Sequence, residues 1–197
     1  MAKKSGLGGR LFVGGYDVSG DVSALQTVSA KRALLPMTDI TQSAEARVPG
    51  LRDGEINANI WFDDATAAEH DALKGLPTTD RIVLYFQAAA VGAQAAALVG
   101  KQINYDWTRN ADGSLPGNVQ ALANDFGLEW CEALTAGKRT DVAATNGASV
   151  DYGAVSTLFG MAAYLEVFAL TGTNVIVTVQ DSADDITFAA ITGGAFT

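Results

Sequence analysis

Glu55-Ile56-Asn57-Ala58-Asn59-Ile60-Trp61-Phe62 sets the fold class. Its apolar residues fall on alternate positions, so Ile56, Ala58, Ile60 and Phe62 share one face of a strand while Glu55, Asn57, Asn59 and Trp61 share the other. One greasy and one wet face is the signature of a strand in an antiparallel sheet. Moving outward, Gln102–Trp107 repeats the pattern, with Ile103, Tyr105 and Trp107 alternating with Gln102, Asn104 and Asp106. Phe126, Leu128 and Trp130 alternate with Asp125, Gly127 and Glu129. Arg81-Ile-Val-Leu-Tyr-Phe86 is apolar without a break after Arg81, which predicts a strand covered on both faces. Asn110-Ala-Asp-Gly113 between two such runs predicts a hairpin turn. The expected fold is therefore mainly β, an antiparallel sandwich or barrel.

One helix is expected beside it. Thr66-Ala-Ala-Glu69 matches a capping box, and Ala-rich sequence carries the helix to Lys74, with Leu73 and Leu76 toward the sheet. Gly75 and Pro77 end it. Residues 1–22 hold six glycines and read as an arm or loop with a strand near Arg10–Val13. Residues 136–160 are rich in small and polar types, which predicts a boundary, with a β-sandwich domain over 1–140 and a small β-module over 141–197. The module's expected strands are Ala163–Leu170, Asn174–Gln180 and Ile186–Ile191.

The formal net charge is −9, unevenly spread. Residues 1–52 carry seven Lys/Arg against four Asp/Glu, whereas 141–197 carry six acids and no base. An acidic body lacks the clustered cations that grip phosphate, so specific nucleic-acid binding by the body is not expected. The basic start, with Lys3, Lys4 and Arg10, is suited instead to lie on the acidic body of another copy. The single cysteine, Cys131, excludes an intrachain disulfide and argues for synthesis in a reducing compartment. The start has no apolar stretch behind its lysines and so does not read as a signal peptide. The longest apolar runs, Ala88–Gly100 and Leu158–Leu170, fall well short of the ~20 residues that cross a bilayer as a helix.

The sequence offers little for catalysis. His70 is the only histidine, so any His-dependent triad or zinc set would have to use it, and it reads as a surface or sheet-facing helix residue. Gly6-Leu-Gly-Gly9 lacks the spacing of a dinucleotide loop. Asp181-Ser-Ala-Asp-Asp185 and Asn110-Ala-Asp-Gly113 do not complete a calcium loop and read as turns. Trp61, Trp107 and Trp130 read as core or interface anchors. No cofactor and no catalytic residue is expected.

The order of these features resembles the major tail tube proteins of long-tailed (siphovirus-type, actinobacteriophage-like) bacteriophages. In them a "gly-leu-x-asp-gly" turn launches a long strand ending in Phe-Asp, as Gly50-Leu-Arg-Asp-Gly54 is followed here by Phe62-Asp63. A short helix, an inner strand like Arg81–Phe86 and a long hairpin follow in both. Val13-Gly-Gly-Tyr-Asp-Val-Ser-Gly20 is similar to their first strand and turn. The resemblance covers residues 10–135, and residues 152–191 look like a jelly-roll-like module on some actinobacteriophage tail proteins.

The resemblance implies a non-enzymatic virion protein that assembles with itself into hexameric rings stacked as a hollow tube, the conduit for genome ejection. Its partners would be further copies, a tape measure protein and genomic DNA held without specific binding, and tail terminator and tail tip proteins, with no membrane. It would be built in the host bacterial cytoplasm and reside in the virion tail. Within that frame, Glu55, Asn57, Asn59, Gln102, Asn104 and Asp106 are the expected channel-facing residues, and Lys3, Lys4 and Arg10 the expected inter-ring arm. The alternatives are another virion β-protein, such as a tail terminator or capsid decoration protein, and a carbohydrate-binding surface sandwich.

Overall fold

A computed structural model describes residues 5–153 and 160–197. Among them the strands are β1 (Arg10–Val13), β2 (Tyr16–Asp17), β3 (Val22–Pro36), β4 (Arg47–Trp61), β5 (Arg81–Phe86), β6 (Gln94–Trp107), β7 (Pro116–Ala123), β8 (Glu129–Glu132), β9 (Val177–Asp181) and β10 (Ala189–Phe196). A five-residue helix, α1 (Glu69–Leu73), lies between β4 and β5. Eight strands form one sheet in the order β2-β1-β5-β6-β7-β4-β3, with β8 also paired to β6. Its ladders are antiparallel. The mainly β, antiparallel expectation holds.

The alternation of β4 places its apolar residues as read. Ile56, Ala58 and Ile60 enter a core with Leu11, Val13, Val83, Leu98, Val119, Ala121, Leu128 and Leu73 of the helix. Each such Leu, Ile or Val contributes ~1.5–3 kcal/mol by leaving water. Phe12, Leu84, Phe86, Ala95, Ala97 and Ala133 form a second core on the opposite face. The strand β5 thus divides its side chains between two cores, Val83 in the first and Leu84 and Phe86 in the second, as its unbroken apolar run predicts.

Several local expectations are corrected. The capping box does not form: the helix starts at Glu69 with Ala68 as its cap, and no side chain caps it. Ala67 takes a positive φ of 62°, which swings Thr66 away. The Glu69 side chain instead turns back to accept from the Asp63 amide at 3.3 Å. Leu76 is exposed rather than sheet-facing.

The Gly50–Gly54 stretch is not a turn. It lies inside β4, whose partner register runs on through Pro49 opposite Leu34. A break in register between Arg32 and Leu34 lets the strand take in a proline that cannot donate. The turn is farther out, between Pro36 and Arg47, where the Met37 amide donates to the Ala46 carbonyl at 2.9 Å.

Of the three large apolar residues in the last alternating run only Leu128 is buried, while Phe126 and Trp130 are exposed. There the strand starts only at Glu129, so Phe126 belongs to a bend. The strand expected near Arg10–Val13 is β1, and a further short strand, β2, takes up more of residues 1–22. Leu11, Phe12, Val13 and Val18 of this stretch are buried.

Residues 163–170 join no ladder, against the expected strand. Tyr164 and Phe168 instead pack on the second core. The strands β9 and β10 pair separately as a two-stranded sheet. Part of the expected module, 154–159, lies outside the described residues.

Candidate functional site

The wet face of β4 does not stand alone. The strand β7 pairs with β4 on one side and β6 on the other, and brings Asn118 opposite Asn59 and Asp106, and Gln120 opposite Asn57 and Asn104. The result is two polar rows across three strands. Asn118 Nδ2 donates to Asn57 Oδ1 at 2.7 Å and Asn59 Oδ1 at 3.2 Å, and Asn104 Nδ2 donates to Asn118 Oδ1 at 3.0 Å and Asp106 Oδ2 at 2.9 Å. Gln120 Nε2 donates to Glu55 Oε1 at 2.6 Å. Lys31 of β3 closes the network, with its Nζ 3.3 Å from Glu55 and 3.7 Å from Asp53. Donors and acceptors on this face largely satisfy one another, and its lysine is already paired with carboxylates.

Five of the six residues expected on this surface, Glu55, Asn57, Asn59, Asn104 and Asp106, share it. Gln102 does not. A β-bulge between Gln102 and Asn104 reverses the alternation, so Gln102 pairs with the core residue Ala121 and its side chain is buried. Its Nε2 donates 2.8 Å to the Leu73 carbonyl, tying β6 to the helix end. Asn118, Gln120 and Lys31 were missed. The signal for the first two was present, because they flank Val119 in strict alternation.

A second surface is apolar. The hairpin of β3 and β4 continues past the core to Pro36 and Arg47, and there Leu34, Leu35, Met37, Ile40, Val48 and Leu51 are exposed, Leu51 at 86%. Scattered exposed leucines are ordinary, but six large apolar side chains concentrated on both faces of one projecting hairpin are of the kind that marks an interface. Arg10 is exposed at the start of β1, and Lys3 and Lys4 lie outside the described residues.

His70 is sheet-facing. Its Nδ1 lies 2.8 Å from the Tyr105 hydroxyl, and its ring packs on Phe62 and Tyr105. Beside it Glu69 is fully buried, and burial raises its carboxyl above the ordinary range. Burial and then the nearby Glu69 push the Tyr105 hydroxyl up as well. Burial, reinforced by the charge of Asp63, raises Asp21. This cluster anchors the helix to the end of the sheet, and with no nucleophile in it there is no triad geometry. The two turns read as turns: Asp184 accepts from the amides of Ile186 and Thr187, which hold its carboxyl down to about 2, and the Gly113 amide closes on the Asn110 carbonyl at 3.0 Å.

No protein-family model matches the chain, and no curated protein sequence does. Solved structures match in fold. The sheath/tube terminator of the extracellular contractile injection system PVC, in its extended state, aligns at TM-score 0.53 and 7% identity, over 66% of this chain and 98% of that one. The tube-terminating cap of the anti-feeding prophage aligns at TM-score 0.52 and 8% identity, over 68% and 93%. A chain of the PVC sheath–tube complex aligns at TM-score 0.50 and 7% identity, over 64% and 89%. The chain has the fold found in these tube and terminator assemblies.

Proposed function

We propose that this chain is a structural tail protein that closes into hexameric rings, stacked as the tube of a long-tailed bacteriophage. The observation that carries the reading is the projecting apolar hairpin of β3 and β4, which the described residues of its own chain leave uncovered. A second copy is the natural cover, because ring closure and stacking also remove exposed strand edges. The fold likeness to tube and terminator components supports it.

In this reading the self-paired polar face lines the channel. Glu55, Asn57, Asn59, Asn104 and Asp106, with Asn118 and Gln120, offer DNA amides and carboxylates that hold phosphate weakly, so genome and tape measure protein pass without specific binding. Gln102 is left out of the lining. Lys3, Lys4 and Arg10 serve as the inter-ring arm. Residues 1–140 form the tube body, and the β9–β10 sheet within 141–197 faces outward. The terminator and tip proteins cap the two ends, and the assembly forms in the host cytoplasm and functions in the virion tail. The protein carries out no bond-making chemistry.

Negative-stain microscopy of the purified chain tests the reading. Tubes or stacked rings are expected, and a Leu34→Glu/Leu51→Glu chain is expected to stay unassembled while folded. A monomer at every concentration refutes it. A tail terminator is the second reading, favoured because two of the three solved structures named above are terminating proteins; single rings that never elongate would select it.

A further inference from the structure

The contacts of residues 164–168 point to a binding site that the tube reading does not use. Tyr164, Glu166 and Phe168 sit two apart, and the contacts of all three are with the same surface. That surface is the face of β1, β5, β6 and β8. Phe168 meets the Phe12 ring edge-on at a centroid distance of 5.1 Å, and the Lys138 ammonium lies over the Phe168 ring, 5.5 Å from its centroid. Tyr164 packs on the second core, near Glu129 and Cys131. Between them Glu166 places its carboxylate on the β1–β2 turn, where Oε1 accepts from the Gly14 amide at 3.1 Å and Oε2 accepts from the Gly15 amide.

The receiving turn is shaped for this. Gly14 and Gly15 have φ of 54° and 88°, which present two successive N–H groups in one direction, the arrangement that makes an anion-binding concavity. Arg81, whose Nη1 lies 3.5 Å from the Gly14 carbonyl, adds positive charge beside it. A side chain at Gly15 would come within 2.9 Å of the Val167 carbonyl oxygen, so the bound backbone fits only against glycine. Two aromatic contacts flank one charge contact at strand spacing, without any ladder to hold the segment.

We propose that this face is a recognition groove for an extended aromatic–x–acid–x–aromatic peptide, and that its occupant is the chain's own Tyr164-Leu-Glu-Val-Phe168. The segment binds as a ligand tethered to its receptor, and the groove reads the acid through the Gly14–Gly15 amides and the aromatics through the second core.

The test uses full-length chains. A Tyr164→Ala/Phe168→Ala chain keeps only the Glu166 contact of its tethered segment, and it is expected to bind a fluorescein-labelled peptide of residues 160–172. The unaltered chain is expected to bind that peptide at least ~100-fold more weakly, because its tethered segment competes at high effective concentration. A peptide carrying Glu166→Lys is expected to lose at least about tenfold in affinity. Amide hydrogen exchange gives a second readout that needs no vacant groove. In a Glu166→Ala chain the Gly15 amide is expected to exchange at least about tenfold faster, while Gly14 stays protected through its other acceptor, the Ile82 carbonyl. Equal peptide binding by the two chains, no binding by a folded Tyr164→Ala/Phe168→Ala chain, or unchanged Gly15 exchange overturns the proposal.

Discussion

Replacing Gly54 with alanine tests the packing of the sheet at its most constrained point in β4. Gly54 is buried, and a Cβ there would lie 2.3 Å from the Leu128 nitrogen, 2.6 Å from its Cβ and 2.9 Å from its Cα. Two of those atoms are backbone, so no rotamer change relieves the overlap. Relief requires β4 to move away from the residue that leads into β8, and Leu128 is itself fully buried in the main core. Overpacking that side chains can absorb costs ~1–3 kcal/mol, and a backbone clash belongs at the top of that range, about 3 kcal/mol. Gly54 has no positive φ, so conformational strain adds nothing, and the lower unfolded-state entropy of alanine offsets ~0.4–1 kcal/mol at most. A loss of about 2–3 kcal/mol should appear in urea unfolding followed by tryptophan fluorescence. In a thermal scan it amounts to roughly 4–12 °C. Gly20→Ala is the control, because nothing lies within 4 Å of its added methyl, and it should stay within ~0.5 kcal/mol of the unaltered chain. If Gly54→Ala unfolds within about 0.5 kcal/mol of that control, the close approach of Leu128 is not a constraint and the reasoning fails.

Leu98→Ala, at a fully buried site, should cost ~2.7–5 kcal/mol in the same urea assay, and a loss below ~1 kcal/mol would mean that the main core tolerates a cavity there. Asn118→Ala removes a side chain bonded to Asn57, Asn59 and Asn104, and should cost ~1–2 kcal/mol without changing the core; a neutral result would mean that water replaces those bonds. Burial outweighs the Gly15 and Gly14 amides and Arg81, which favour the charged form, and raises the Glu166 carboxyl to about 7 from its ordinary 4.5, so the folded form binds the proton more tightly than the released segment does. That contribution to docking is complete below pH 4.5 and is lost as pH rises through 7, which predicts faster proteolytic cutting within residues 139–175 at pH 8 than at pH 6. Equal cutting at both, corrected for the protease, would contradict it. Glu55→Lys/Asp106→Lys should leave tubes intact and slow DNA passage in a salt-dependent manner; unchanged passage would take the polar face out of the channel.

What was legible in the sequence was the set of strands with unbroken alternation. Ile56, Ala58 and Ile60 went to the core, and β5, with no alternation, took two cores. What was not legible is where register breaks. In β3, Val22, Leu25 and Val28 all pair opposite core residues of β4, yet they are spaced three apart because the register slips after Val22 and again after Leu25. That spacing imitates no strand, so the longest edge of the sheet went unread. The bulge at Gln102 misled in the same way, by carrying a polar residue inward while its neighbours kept their pattern. The docking of Glu166 was invisible for another reason. It joins positions more than 150 apart, and a glycine pair presents its amides only once the turn is made.

The slips in β3 also bear on how copies tell right partners from wrong ones. An edge strand of fifteen residues with an even row of free amides and carbonyls would accept almost any extended chain. Here β3 itself carries an extra residue at two places, after Val22 and after Leu25, whereas the break between Arg32 and Leu34 adds its extra residue to β4. A stray strand that runs across residues 22–27 therefore finds its bonding groups falling out of step twice. Full-length pairing is left to a surface with interruptions at the same places, which makes the edge selective by rhythm rather than by side-chain chemistry.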